Sequence, residues 1–401
     1  VRKICVVVTA RPSWSKLEPV CRALKARPDV ELQIVACASA LLERYGRTDA
    51  VIESQGYEIT ERVWSTLEGA NLLTSTQETG ALLVGLAGAL SRLRPDVVVG
   101  CADRHEVVAV AQAATYQHLR FAHLQGGEVS GSIDDKARDA ITQLADIHFP
   151  ATELAAFRVY NMTGSAHVHH VGCPSVDVAK QAQDEPPVTV EELGGAGADI
   201  SEYDEDTLHP GAIILQHPVT SEADQAYAQM RETLWAVACS KAIGGPVIAL
   251  WPGQDAGAEG ASKALREFQD RFHTVRNLPP NRFLRLLTQC AVLVGNSSAG
   301  IREASYLGVP VVNVGSRQFG RQRGPNVVDV PHDAEAISKA IQRQIAHGRY
   351  ASSGIYGTGN AGQRIAEVLA DGTGDRVGAS ETWIQINSRQ KLAVIGRQKP
   401  H

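Results

Sequence analysis

Acidic residues, arginines and hydroxyl residues recur in this 401-residue chain just after short apolar runs, where a fold can hold them steady. Asp103-Arg104 follows the run 96–100. His123-Leu124-Gln125-Gly126-Gly127-Glu128 completes and follows the run 120–124, and Asp134-Asp135 opens the next amphipathic stretch. Carboxylates grouped beside Arg and His can be driven apart in pKa, as general acid–base chemistry requires. An N-cap with a first-turn acid explains Asp134-Asp135 equally well. Asp103 is different, because a charge that ends a wholly apolar strand must be paired or must face a cleft.

A second set of residues suits an anion. Gly295-Asn296-Ser297-Ser298-Ala299-Gly300-Ile301-Arg302-Glu303 follows the run 291–294, and its small and hydroxyl residues would open a helix. Free N–H groups, two hydroxyls and a positive helix end make a diphosphate cradle, with Glu303 deeper in to accept from ribose hydroxyls. A plain Ser cap is the simpler alternative. In Gly315-Ser316-Arg317-Gln318-Phe319-Gly320-Arg321-Gln322-Arg323, the arginines offer a second grip on phosphate or a solvated basic loop. Arg11 and Ser15, after the first strand, could hold a phosphate or a base edge, or merely start a helix. His217 in Gln216-His217-Pro218-Val219-Thr220 and Asp255 in 252–257 again follow strands.

Several chemistries find no support. The Gly-x-Gly-x-x-Gly fingerprint is missing after the first strand, and neither a nucleophile elbow nor a Ser-His-Asp order is present. His167-Val168-His169-His170 alternates as a strand would and lacks ligand-spaced partners, so no metal centre is expected. Seven scattered cysteines and the lack of a signal-peptide pattern point to reduced thiols and a cytoplasmic protein. A net charge of −5 gives no basic footprint for nucleic acid. No apolar run approaches the roughly 18 residues of a membrane span. At 44% hydrophobic residues, the chain has enough apolar material for a core.

These residues must be positioned by alternating strands and helices. Strands are expected at 4–9, 31–38, 96–100, 120–124, 212–216, 246–251, 291–294, 310–314 and 327–330. Helices are expected at 16–26, 104–118, 133–145, 223–242 and 258–269. The pattern is that of an α/β protein with two parallel, Rossmann-like halves: an N-terminal domain over 1–178 and a C-terminal domain over 210–360. The acidic, Pro- and Gly-containing stretch 179–209 reads as their connection, and 376–401 as a weakly patterned tail. In such sheets ligands bind beyond the carboxyl ends of the strands, so the site belongs in the cleft between the halves.

The joint order of these words resembles the UDP-N-acetylglucosamine 2-epimerase family, through about residues 3 to 372. Matching words are Arg11-Pro12 with Ser15-Lys16-Leu17, Asp103-Arg104, Gly126-Gly127-Glu128-Val129-Ser130-Gly131 with Ile133-Asp134-Asp135, and Ala140-Ile141-Thr142. In the second half they are His217-Pro218-Val219-Thr220, Asp255-Ala256-Gly257, Gly295-Asn296-Ser297-Ser298, Arg302-Glu303, Gly315 with Arg317-Gln318 and Gly320-Arg321, and Ile355-Tyr356-Gly357 with Gly359-Asn360-Ala361. Gly-Gly-Glu-Val-Ser-Gly is typical of the hydrolysing, sialic-acid-pathway branch, whereas non-hydrolysing members carry Glu-Ala-Gly-Leu-Arg there.

The resemblance implies a glycosyltransferase-B architecture, in which a C-terminal helix at about 361–375 returns to the first domain. It implies a nucleotide-sugar substrate, no cofactor or metal, and a homodimer or homotetramer. The implied reaction eliminates the nucleotide diphosphate to leave a glycal and then hydrates it to a free N-acetylmannosamine-type sugar. Asp103, Glu128, Asp134 and Asp135, with Arg104, His123 and His217, would form the acid–base set. Arg11, Ser15, Gln125, His217, Asp255, Gly295, Ser297, Ser298, Glu303, Arg317 and Arg321 would bind the nucleotide sugar. Gln125 departs from the pattern, standing where several members carry a Glu thought to be catalytic. Gly253-Gln254 and Glu259 also differ, which leaves the nucleotide base and the sugar substituents open. The alternatives are a transferase of the same architecture and a nucleotide-sugar-binding protein without turnover.

Overall fold

The computed structural model describes residues 1–372 apart from 68–71, 132, 204–206, 253–255 and 277. Val- and Ile-rich runs form strands buried on both faces, as parallel sheets covered by helices require. The first sheet comprises β1 (Arg2–Val8), β2 (Val30–Cys37), β3 (Glu61–Val63), β4 (Val97–Cys101), β5 (Arg120–Leu124) and β6 (Ile147–Phe149). It is parallel throughout, in the order β3-β2-β1-β4-β5-β6. The second comprises β7 (Ala196–Gly197), β8 (Ala212–Leu215), β9 (Val247–Leu250), β10 (His273–Val275), β11 (Leu293–Gly295), β12 (Val311–Val314) and β13 (Val327–Val330). Its order is β13-β12-β11-β8-β9-β10-β7, and only the edge strand β7 is antiparallel.

Strand order reverses between β1 and β4 in one sheet and between β8 and β11 in the other. At such switch points the two adjacent connections leave in opposite directions and open a crevice. Arg11 and Asp103 follow β1 and β4, while His217 and Ser297 follow β8 and β11. The two parallel-sheet α/β domains make up the glycosyltransferase-B architecture.

Three elements depart from expectation. The first helix begins at Arg11 and runs to Lys25, with a proline in its first turn, where no N–H is missed. The helix expected over 223–242 is a 3-10 turn, Thr220–Gln225, followed by Ala226–Ala238. Most of the stretch expected as a bare connection is built into the second domain. The helix Val190–Leu193 and strand β7 lie within it, and Val188, Leu193, Ile200 and Leu208 are buried in that core. Short elements like these leave almost no periodicity to read.

The helix Ala361–Asp371 returns to the first domain and lies on Arg11–Lys25, with Ile365, Ala366 and Leu369 in the same core as Leu17, Val20 and Leu24. A Cβ on Gly362 would sit 2.6 Å from the Pro19 carbonyl carbon, so the two helices meet at that glycine. Asp177, from the helix Pro174–Gln183, accepts from the Ala361 and Gly362 N–H groups at 3.0 and 2.7 Å and thereby caps the returning helix. The expected tail 376–401 lies outside the described residues. Among the described residues, no helix is long and apolar enough to cross a membrane.

Candidate active site

Residues that follow β5, β12 and the switch-point strands β4 and β11 converge on a buried network of three arginines and three carboxylates. Arg138, on the helix Asp134–Leu144, is only 1% exposed. It pairs with Asp103 and, at 2.5 Å, with Asp135, and it donates to the Glu128 carbonyl at 2.6 Å. Glu128 meets two arginines from the other domain, Arg302 at 2.6 Å and Arg321 at 2.9 Å. The site therefore spans the cleft.

Burial alone would raise both carboxyls, but the guanidinium groups win. Arg302 and Arg321 bring Glu128 down to about 2. Arg138, with Arg321 and Lys16, holds Asp103 well below the usual carboxylate range. Both stay ionised at neutral pH. Glu128 Oε1 has no hydrogen-bond partner among the described residues, so one oxygen of this buried carboxylate is uncommitted.

The other expected acid–base residues make contacts of their own. Asp135 accepts from the Ser130 N–H, the Ser130 hydroxyl and the Gly131 N–H at 2.7–2.8 Å, so it shapes the loop that carries Glu128. Asp134 is an exposed first-turn residue of the same helix. Arg104 forks onto buried Glu106, with bonds of 3.0 and 2.9 Å. His123 is held on both sides. Its Nδ1 meets Thr142 at 3.1 Å, its Nε2 meets the Ala102 carbonyl at 2.9 Å, and burial pushes its pKa down to about 4. That imidazole is neutral at neutral pH, with both ring nitrogens engaged.

On the second domain, Gly295 and Asn296 fix the geometry. Gly295 has φ +138°, and a Cβ there would lie 2.2 Å from the Leu215 carbonyl oxygen, so only glycine brings β11 this close to β8. The Asn296 side chain accepts from the His217 N–H at 2.7 Å and donates to the His217 carbonyl at 2.8 Å, clamping the two strand ends together. The cradle itself differs from expectation. Ser297 caps a helix of only four residues, Ser298–Ile301, by accepting from the Ala299 N–H at 3.3 Å. The chain breaks at Arg302, and Glu303 starts a second short helix, Glu303–Leu307. Such short helices carry little macrodipole, so positive charge here comes mainly from arginines.

Glu303 keeps one buried carboxylate oxygen without a hydrogen-bond partner among the described residues. Arg317 and Gln318 donate to the Asn296 carbonyl at 3.3 and 2.9 Å, and Arg321 donates to Gln318 at 2.6 Å. Across the cleft, Arg11 donates to the Leu278 carbonyl, while Ser15 donates to Pro12 at 2.9 Å within its own helix. Asp255 lies outside the described residues.

Two residues that the sequence reading missed hold the network together. Arg138 is flagged only by its place three residues after Asp135. Arg302 appears only as part of a matching word, and nothing local marks it as buried. Gln125 is 1% exposed and joins the same unit, as it accepts from Arg302 at 2.9 Å.

Known proteins resemble this chain along most of its length. A profile of the UDP-N-acetylglucosamine 2-epimerase family matches residues 22–370. UDP-N-acetylglucosamine 2-epimerase of Neisseria meningitidis serogroup B is 29% identical over 395 residues, covering 96% of this chain and 100% of that one. UDP-N,N'-diacetylbacillosamine 2-epimerase (hydrolyzing) of Legionella pneumophila is 29% identical over 372 residues, covering 92% and 96%. The structure of the Neisseria meningitidis UDP-GlcNAc 2-epimerase bound to UDP-GlcNAc superposes with a TM-score of 0.75 at 16% identity, over 92% of this chain and 100% of that one. With a family profile matched along most of its length and two switch points facing one ion-pair network, the chain belongs to the UDP-N-acetylglucosamine 2-epimerase family.

Proposed function

We propose that the protein is a hydrolysing nucleotide-sugar 2-epimerase. It would convert UDP-N-acetylglucosamine, or a close UDP- or GDP-linked 2-acetamido sugar, to the free 2-epimeric sugar and the nucleotide diphosphate. The observation that carries this reading is an ionised Glu128 of one domain paired with two arginines of the other, beside an Asp103 held by Arg138 of its own domain. A family relative named as hydrolysing, and the Gly-Gly-Glu-Val-Ser-Gly word around Glu128, support the hydrolysing branch.

The chemistry asks for both kinds of group. The C2 proton is weakly acidic and the leaving group carries negative charge, so a positioned base must act together with cationic stabilisation of the departing diphosphate. In the first stage a carboxylate takes the C2 proton as the C1–oxygen bond breaks, and a C1–C2 double bond forms. In the second stage the other carboxylate draws a proton from the incoming water and passes it to C2 on the opposite face, while the hydroxyl of that water adds to C1. We assign the proton transfers to Asp103 and Glu128 and diphosphate binding to Arg317 and Arg321. Ribose falls to Glu303, and the base edge to Arg11 and His217.

Proton NMR in deuterated buffer containing EDTA tests this directly, with UDP-N-acetylglucosamine offered first and its GDP-linked and 2,4-diacetamido counterparts next. The expected products are free nucleotide diphosphate and a 2-epimerised sugar with deuterium at C2. A nucleotide sugar epimerised while still attached to its nucleotide would overturn the hydrolysing assignment. Donors left intact by a protein that binds nucleotide diphosphate would overturn the epimerase assignment for those donors.

A further inference from the structure

We propose that Arg302 is a positioning residue that latches the two domains together over the substrate, and that the neutral amide of Gln125 is what suits the network to it. This rests on the cleft being the nucleotide-sugar site. The latch is visible as a chain of contacts across the domain boundary. Arg302 sits at the break between two short helices after β11 and is 2% exposed. One arm donates to Gln125 Oε1 at 2.9 Å and the other to Glu128 Oε2 at 2.6 Å, both on the segment that follows β5. The guanidinium carbon lies 5.8 Å from the centre of the Tyr356 ring. A guanidinium withdrawn from water persists only where its charge is met, and here the first domain supplies the acceptors of both arms, while Nε has no hydrogen-bond partner among the described residues.

Gln125 is built for its half of the contact. Its backbone takes φ +65°, a left-handed conformation that a non-glycine residue adopts at a cost in energy. Both ends of its amide are in use: the oxygen accepts from Arg302, and the nitrogen donates to Cys173 Sγ at 3.0 Å. Cys173 Sγ also lies 2.9 Å from the Ser175 hydroxyl. A residue that had merely lost a catalytic group would not be expected to have both ends satisfied. Charge points the same way, since Arg302 is already committed to Glu128 at 2.6 Å and a carboxylate at position 125 would place a second anion on the same guanidinium. Two carboxylates sharing one partner titrate apart, one of them upward.

The test compares the wild-type protein with Gln125→Glu and Arg302→Lys, using three readouts. These are the affinity for UDP, the radius of gyration with UDP bound, and the pH profile of turnover on the donor that the wild type consumes. The groups facing Glu128 are Arg302, Arg321, Arg138, Arg158 and Tyr356, and only position 125 changes among titratable sites in Gln125→Glu. That variant is expected to lower kcat about tenfold at neutral pH and to move the acid limb upward by about one pH unit. Arg302→Lys keeps the charge but loses the fork. It is expected to lower kcat about tenfold with KM within about twofold, and to enlarge the UDP-bound radius of gyration. If Gln125→Glu raises turnover and leaves the acid limb in place, Gln125 is a lost catalytic group and the proposal fails. If Arg302→Lys leaves both kcat and the radius unchanged, there is no latch. A wild-type protein that binds UDP but consumes no donor sinks the functional reading alone, because the radius and affinity of Arg302→Lys still decide the latch.

Discussion

Among single residues, Glu128 and Asp103 carry the sharpest expectations. Removing the charge at Glu128 strands Arg302 and Arg321 in the protein interior. Glu128→Gln is therefore expected to cost about 3 kcal/mol of stability, measured by urea unfolding, besides abolishing turnover. Asp103→Asn is expected to lower kcat by about 10² or more, while His123→Gln leaves the pH profile of kcat where it was, since His123 only bridges Thr142 and Ala102. Histidines matter in another way. His148 is 1% exposed, neither of its ring nitrogens has a hydrogen-bond partner among the described residues, and burial pushes its pKa down to about 3. A depressed histidine is neutral when folded and gains a proton on unfolding, so stability is lost as pH falls from its ordinary value of 6.5 toward 3. Glu128 behaves differently, because its contribution persists until pH drops below the ordinary glutamate value of 4.5 and fades toward about 2. Between pH 6.5 and 4.5 the acid sensitivity thus belongs to the depressed histidines, His148, His123, His169, His170 and His332, about 1.4 kcal/mol per pH unit each at most. His148→Leu is expected to flatten the dependence of the urea midpoint on pH across that window.

Elements meet across the cleft where side chains are smallest. The loop 315–323 approaches the Glu128 loop at Gly320, where a Cβ would lie 2.5 Å from Val129 Cγ1 and 2.7 Å from its carbonyl oxygen. Gly320→Ala is expected to push these loops apart. Steady-state kinetics would then show a raised KM and a lowered kcat, with a melting temperature within a few degrees of wild type. Strands such as Arg120–Leu124 and Val327–Val330 are readable from sequence at their observed bounds, because short apolar runs flanked by turn residues mark strands even where His123 or an exposed Asp329 interrupts them. The placement of Asp103, Glu128, Ser297 and Arg321 after strands is readable for the same reason. The break at Arg302 is not, since Ala299–Ala304 has no proline there and its kink is imposed by partners about 175 residues away in sequence. Arg138 is equally silent, as an arginine on a polar helix face looks solvated until Asp103 and Asp135 are seen beside it.

Over the whole molecule, Asp177 governs how the last described helix is tied down. Its carboxylate caps Ala361 and Gly362 from a helix nearly two hundred residues earlier. Asp177→Ala is expected to cost about 1–2 kcal/mol, seen as faster hydrogen exchange along Ala361–Asp371 and a lower unfolding midpoint. The return of that helix also bears on how the chain folds during synthesis. Ile365, Ala366 and Leu369 complete the core around Leu17, Val20 and Leu24, so the domain that begins the chain finishes only after the other domain has been made. Closing a contact at such separation is slow, and until it forms the apolar side of Arg11–Lys25 stays open to water. The second domain, whose strands are contiguous in the chain, has no such wait and is positioned to fold first, while the first remains the aggregation-prone half of a nascent molecule.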